Sequence, residues 1–342
     1  MIYAVCGPIS PHQMLVTHLA KAVVERRHGS ILLCATNDAV ELRTMVARRR
    51  GEACLLVFDT PDDVISSLVL RGGMPTAFVL EPFTALAAFA WNFFGGNFED
   101  GYRAVTKSLS ALRPIAMVAN AAPIRVGDGE DIAAVLNRIC SCFDYTFKED
   151  ELEVIITAFR DYYSTSNVLD IAKRLSHHTE AARHTASQFT MEQKDLLRRL
   201  AKSYEEVLRP RNIQSLHWPV ETLTNAEAGS PLAGPIELTG PGRLLTFGPY
   251  LHIPKGRWEV ILTFSTIDNN SGNIFMVDVY SPTSQRVLAV GCLDLPVSGT
   301  FSTFLSIEIQ SPLHALEVRT FMPTGAIEGV LELLDVSWRT LE

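Results

Sequence analysis

Continuous apolar runs at 2–6, 30–35, 53–59, 76–80 and 114–119 alternate with stretches whose apolar residues recur at helical spacing. The helical stretches are 12–27, 38–49, one opening near Pro61, 83–94, 99–112 and 131–143. Short, unbroken apolar strands separated by amphipathic helices predict a doubly wound parallel sheet with helices on both faces, an α/β arrangement. From 149 to 208 the spacing stays helical with no strand pattern, and Asn167 opens a long polar helix carrying His177 and His184 on one face. Beyond 236 the period changes to two. About eight short strands divided by turn residues predict an antiparallel β-sandwich or jelly roll. The expected organisation is an α/β domain with C-terminal helices over 1–215, a linker over 216–235 rich in Ala, Gly, Pro and Ser near its end, and a sandwich over 236–342.

The chain's 342 residues suit two cores, and 47% hydrophobic residues supply the apolar surface to fill them. A net charge of -8 argues against a nucleic-acid partner, which selects a basic domain or stripe. The two basic runs, Arg26-Arg27-His28 and Arg48-Arg49-Arg50, each close a predicted helix, where cations oppose the negative end of the dipole. No apolar run reaches the roughly 18 residues of a membrane span, and 1–6 reads as a strand and not a leader. Cysteines stand at 6, 34, 54, 140, 142 and 292, several inside apolar strands, as small buried hydrophobes do in a reducing compartment. That places the protein in the cytoplasm. The lone Cys140-x-Cys142 has no further ligands at metal-binding spacing, so no metal is expected.

In a doubly wound sheet, ligands meet the loops that follow the strands. The first loop is Gly7-Pro8-Ile9-Ser10-Pro11-His12-Gln13 and runs into a helix, where N–H groups can hold an anion. The third strand ends in Asp59-Thr60-Pro61-Asp62-Asp63, with Ser67 following. This second segment resembles the nucleotide-binding Arg-x-Pro-x-Asp motif of the sulfotransferase family, in which a serine follows eight residues after the arginine. Pro61, Asp63 and Ser67 fall on that pattern, and Asp59 stands where the family has its arginine. Gly7 and Ser10 match the family's first loop, with Pro11, His12 and Gln13 in place of Gly-Thr-Thr. A strand ending at Asn120 and a helix over 131–144 continue the order, so the resemblance spans roughly 1–160.

The resemblance implies the sulfuryl donor PAPS as cofactor of an active enzyme, with Gly7, Ser10 and Ser67 as cofactor-binding residues. The residues themselves point elsewhere. Sulfuryl transfer concentrates negative charge and draws on Lys, Arg and N–H groups. Here the strand ends offer Asp59, Asp62, Asp63 and Glu81 instead. His12 and Asp59 are therefore the candidates for acid–base or metal-assisted chemistry. The alternative is that Asp62 and Asp63 cap the next helix and Glu81 is solvated.

The segment Gly248-Pro249-Tyr250-Leu251-His252, leading to Gly256-Arg257-Trp258, resembles carbohydrate-binding sandwich modules of the kind attached to bacterial glycan-modifying enzymes. Asp278-Val279 and Leu316-Glu317-Val318-Arg319 fit it as well. The resemblance implies sugar contacts by Tyr250, His252 and Trp258, with Tyr280 a further stacking candidate, although Trp258 alternates with Glu259 as a core residue would. Glu317 and Arg319 share a strand face and are expected to pair. Three readings follow. The first is a non-catalytic sulfotransferase-like protein that binds glycan or protein through its sandwich, in polysaccharide assembly. The second is a transferase sulfating a glycan from an atypical donor site. The third is a structural subunit, including a homo-oligomer.

Overall fold

In the computed structural model, the described residues of the first part of the chain form four strands and nine helices. The structure describes residues 1–48, 52–118, 123–209, 213 and 215–341. In order these are β1 (Ile2–Cys6), α1 (Pro11–His28), β2 (Ile31–Ala35), α2 (Ala39–Arg48), β3 (Ala53–Phe58), α3 (Asp63–Arg71), β4 (Thr76–Phe78), α4 (Phe83–Phe94), α5 (Phe98–Val118), α6 (Ile132–Cys142), α7 (Glu149–Tyr163), α8 (Val168–Leu175) and α9 (His178–Gln188). The strands form a parallel sheet in the order β2-β3-β1-β4. Successive residues of a strand face opposite sides, and Tyr3, Ala4, Val5 and Cys6 are all buried. Both faces of the sheet are thus covered, which is why its strands read as unbroken apolar runs. Arg26, Arg27 and His28 close α1 as expected. Arg49 and Arg50 lie outside the described residues.

Two expectations are corrected here. The stretch 114–119, read as a strand, is the last turn of α5 as far as it is described. Tyr102, Val105, Leu109, Leu112 and Ala116 are buried at spacings of three and four, so one helical stripe continues through Pro114. The next sheet position is taken by Ile124 instead, in a parallel bridge to Val79 with its N–H donating to Phe78 O at 2.6 Å. Asn120 lies outside the described residues. The long helix expected from Asn167 is two helices, broken at Ser176. Ser176 Oγ accepts from His178 N at 3.3 Å and Thr179 Oγ1 donates to Ala172 O at 3.1 Å, local bonds that compete with helix continuation. His177 consequently precedes α9 and stacks on His178, while His184 pairs with Gln188. They do not share a helix face.

By its internal packing the chain divides into Met1–Thr190 and Met191–Glu342. The second unit opens with α10 (Met191–Val207) and continues as strands β5 (Ser215–Trp218), β6 (Thr224–Asn225), β7 (Ser230–Pro231), β8 (Ile236–Glu237), β9 (Arg243–Phe247), β10 (Pro249–Leu251), β11 (Gly256–Ile267), β12 (Ile274–Ser281), β13 (Arg286–Asp294), β14 (Gly299–Ile309), β15 (Leu316–Met322) and β16 (Val330–Thr340). One sheet runs β13-β12-β15-β9-β6-β7 with β10 on β15. The other runs β14-β11-β16-β5 with β8 on β16. The sandwich is therefore as expected, but residues 216–235 are not a linker. Leu216 and Trp218 pair with β16, and Thr224 and Asn225 pair with β9.

The strands that alternate most cleanly set the sandwich core. Phe275, Val277 and Val279 of β12 and Val260, Leu262 and Phe264 of β11 are all fully buried. The Phe264 and Phe275 rings meet edge-on with centroids 5.0 Å apart. Trp218 and Trp338 lie 4.6 Å apart in the same core. No helix among the described residues is long and apolar enough to cross a membrane.

Candidate functional sites

At the strand-end edge of the parallel sheet, β1 turns through Gly7 into α1. Gly7 has φ +156°, and a Cβ there would stand 2.2 Å from Val79 O, so only glycine lets this turn pass the end of β4. Ser10 is the N-cap of α1, its Oγ accepting from Gln13 N at 3.0 Å. The next free donor at this helix N-terminus, His12 N, gives its hydrogen to Glu81 Oε1 at 3.0 Å. Where the sequence suggested a bound phosphate, the protein supplies its own carboxylate.

Glu81 and His12 are both buried, 9% and 6% exposed. The imidazole lies between two carboxylates. Its Nδ1 is 3.4 Å from Glu81 Oε2, and its Nε2 is 3.6 Å from Asp128 Oδ1. Asp128 Oδ2 in turn accepts from Arg183 Nη1 of α9 at 2.6 Å. These groups close one end of a cavity of about 320 Å³, whose remaining walls include Pro11, Ala85, Phe89, Leu169 and Ala186. The sequence brought His12 and Glu81 into view as strand-end residues. Asp128 was missed, and its Gly127-Asp128-Gly129 turn is the signal that marks it.

Asp59 belongs to a different place. It lines a second cavity of about 310 Å³ with Pro8, Thr60, Phe94 and Lys107, and His12 does not line that cavity. Its Oδ1 accepts from Asn37 Nδ2 at 2.7 Å, and Asn37 Oδ1 accepts the N–H groups of Asp59 and Thr60. Asp59 thus tethers the β3 loop to the β2 loop. Asp62 caps two helices at once, Oδ1 accepting from Ile65 N at 2.6 Å and Oδ2 from Ala39 N at 2.9 Å. Ser67 sits half-buried on α3 and lines neither cavity. The candidates His12, Asp59, Gly7, Ser10 and Ser67 therefore do not converge on one pocket. Among the described residues, no group of three or more His, Cys, Asp or Glu could hold a metal ion.

In the sandwich, Trp258 is 1% exposed and its Nε1 donates to Pro254 O at 2.9 Å. It is a core residue with no ring face for a sugar. The His252 carbonyl accepts from Tyr204 at 2.6 Å and the residue is buried, while Tyr250 is half-buried with φ +67° on β10. On the outward face of β12 and β15, Tyr280, Arg319 and Phe321 are half-buried around a buried Asp278. Register places Asp278 opposite Arg319 and Met276 opposite Phe321. Arg319 holds Asp278 in a two-point ion pair, Nε to Oδ1 at 2.8 Å and Nη2 to Oδ2 at 2.6 Å. Its guanidinium carbon stands 4.1 Å from the Tyr280 ring centroid and 5.4 Å from that of Phe321. Hydrogen bonding to Asp278 raises the Arg319 pKa above its ordinary value. The expected partner Glu317 contributes only by proximity, because side chains two apart on a strand meet less closely than cross-strand neighbours.

No family model and no curated protein matches the chain. Solved carbohydrate-binding modules are similar to the C-terminal sandwich. A xylan-binding module of family 15 is 5% identical over 37% of this chain and 97% of its own, with a TM-score of 0.28. A family 6 module of Cellvibrio mixtus lichenase 5A, solved with cellotriose, is 12% identical over 36% of this chain and all of its own, with a TM-score of 0.23. An arabinose-bound α-L-arabinofuranosidase is 11% identical with a TM-score of 0.24, over 30% of this chain but only 18% of that one. Likeness at this level carries no argument about the ligand of this chain.

Proposed function

We propose that the protein binds a glycan through the outward face of β12 and β15. The observation that carries the reading is the arrangement of Arg319, fixed to Asp278 and lying against Tyr280 and Phe321. A sugar offers two kinds of surface, apolar C–H faces and hydroxyl rims. Aromatic rings suit the first, and the half-exposed Arg319 guanidinium, which keeps N–H donors beyond the two it gives to the buried Asp278, suits the second. Prepaired charges are held rigidly, so less side-chain entropy is lost on binding. The face is accessible beside this cluster, since Val290 and Cys292 of the adjoining β13 are exposed.

The test is affinity electrophoresis of the full chain through gels containing soluble polysaccharides, xylan and mixed-linkage β-glucan among them. Retardation by at least one is expected. Tyr280→Ala should weaken it by about 1–2 kcal/mol, roughly tenfold. Migration unchanged in every gel, or equal retardation of the Tyr280→Ala protein, would remove this face as the binding site.

A further inference from the structure

The two sheets of the sandwich end in β13, β7, β14 and β5. A strand edge carries a row of backbone N–H and C=O groups without ladder partners, and proteins blunt it with short strands, proline, charges, bulges or a covering element. Three of these edges are blunted. β7 is two residues long and ends in Pro231. β5 is covered by α10, whose Ser203 Oγ accepts from His217 N and donates to His217 O, both at 3.0 Å. β13 carries Arg286 and Asp294 at its ends, and its pairing with β12 slips between Val279 and Tyr280, leaving Leu288 as an extra residue. β14 has none of these devices. It pairs with β11 from Gly299 to Ile309 without a register shift, and its sequence GTFSTFLSIEI holds no proline, lysine or arginine. Among the described residues, no strand pairs with its other edge.

The same edge leaves apolar side chains uncovered. Phe304, on the outward face, is 66% exposed. Phe301, on the inward face, stacks on Phe264 with centroids 5.5 Å apart, yet is only half-buried. The line of core rings formed by Phe275, Phe264 and Phe301 therefore runs out to an open side. Phe304 is also the middle residue of β14. An antiparallel copy of the strand in full overlap has its two-fold axis there. That register sets Phe304 against Phe304, Ser302 against Ser306 and Thr300 against Glu308 on the outward face. On the inward face it sets Phe301 against Ile307 and Thr303 against Leu305. Glu308 is the strand's one charged residue, and it meets no like charge.

We infer that two copies of this chain pair antiparallel through their β14 edges, joining two β14-β11-β16-β5 sheets into one. The pairing gives partners to the free ladder groups of both edges and removes Phe304 and Phe301 from water. A second copy is the occupant because the strand is its own complement, aromatic on aromatic and hydroxyl on hydroxyl.

Sedimentation equilibrium of the full chain tests the pairing. A dimer is expected at about 100 μM. Phe304→Lys places like charges face to face and should weaken the dimer at least about tenfold. Phe304→Glu should do the same. Mixed in equal amounts, the two variants should associate more tightly than either alone, because residue 304 meets its own counterpart only at the two-fold axis. Position 304 is exposed, so the circular dichroism of both variants should match that of the unaltered protein. The inference is overturned by a monomer at about 100 μM, by a Phe304→Lys protein that dimerises unchanged, or by a mixture that associates no more tightly than its components. A monomer would leave the edge to a strand of another protein. The β12 and β15 face belongs to the other sheet, so none of these results bears on the polysaccharide test.

Discussion

Glu81 bridges the backbone and the ring of His12, with one carboxylate oxygen 3.0 Å from the amide nitrogen and the other 3.4 Å from Nδ1. A residue just past β4 thereby completes the N-terminus of α1. Titration with 3′-phosphoadenosine 5′-phosphate is expected to give no heat, because the position an anion would take is filled by a fixed negative charge. Micromolar binding would show that Glu81 moves aside and would restore the donor-site reading. In the absence of ligand, Glu81→Ala should cost roughly 1–3 kcal/mol, since it strands a buried donor. Glu81→Gln keeps an acceptor and should cost less. Urea unfolding of the two variants measures the difference.

Acid should loosen the turn that carries Asp128. Asp131 caps α6 and accepts from Ala133 N at 2.9 Å. Hydrogen bonding from Ser166, and then from that amide, holds its carboxyl below the usual aspartate pKa. For Glu130, burial pushes upward, but the bonds from Arg138 and Gly127 N outweigh it and the net shift is down. A depressed pKa means the folded state favours the carboxylate. The stability is therefore fully present above the unfolded value and is lost as pH falls through the folded one, below about pH 4. The urea midpoint should drop over that range, and Asp131→Asn should be weaker at neutral pH but fall less steeply. An identical acid slope in the variant would remove Asp131 from the account.

Trp258 and Tyr280 separate packing from recognition. Trp258 is enclosed and bonded to Pro254 O, whereas Tyr280 is half-buried beside Arg319. Trp258→Phe should cost roughly 1–3 kcal/mol of stability, from a lost buried hydrogen bond and a smaller ring. It should leave polysaccharide retardation intact under conditions where the variant is folded. Tyr280→Ala should do the reverse. Loss of retardation in a folded Trp258→Phe protein would place the site near β11 instead.

The layout of the fold was legible because burial writes itself into spacing. Unbroken runs such as 2–6 mark strands covered on both faces, and alternation such as Phe275, Val277 and Val279 marks a sandwich strand. The failures have equally local causes. An apolar run at 114–119 looks like a strand unless its phase is compared with Tyr102 and Leu109, which it continues. Nothing in the composition near Asn225 shows that two-residue strands there close a sheet edge. The sites were legible only in part. His12, Glu81, Tyr280 and Arg319 carry their chemistry in the residue type. Their partners Asp128 and Asp278 become visible only when loops and register bring them together, over more than a hundred residues for His12 and across a strand pair for Arg319.

Cys292 offers a chemical route to the same sandwich face. It is exposed on β13, directly opposite Met276, and directly opposed residues project to one side of a sheet. The other thiols are less available. Burial pushes Cys54 up to about 12 and Cys140 up to about 11, and raises Cys6, Cys34 and Cys142 as well. Since the thiolate is the reactive form, Cys292 should react with a maleimide in the native protein well before the rest. A bulky adduct there should crowd Met276 and its neighbours and reduce polysaccharide retardation, while Cys292→Ser should bind normally and be insensitive to the reagent. If the labelled protein is retarded as strongly as the unlabelled one, the sugar does not lie across β12 and β13, and the search moves along β15 toward β9.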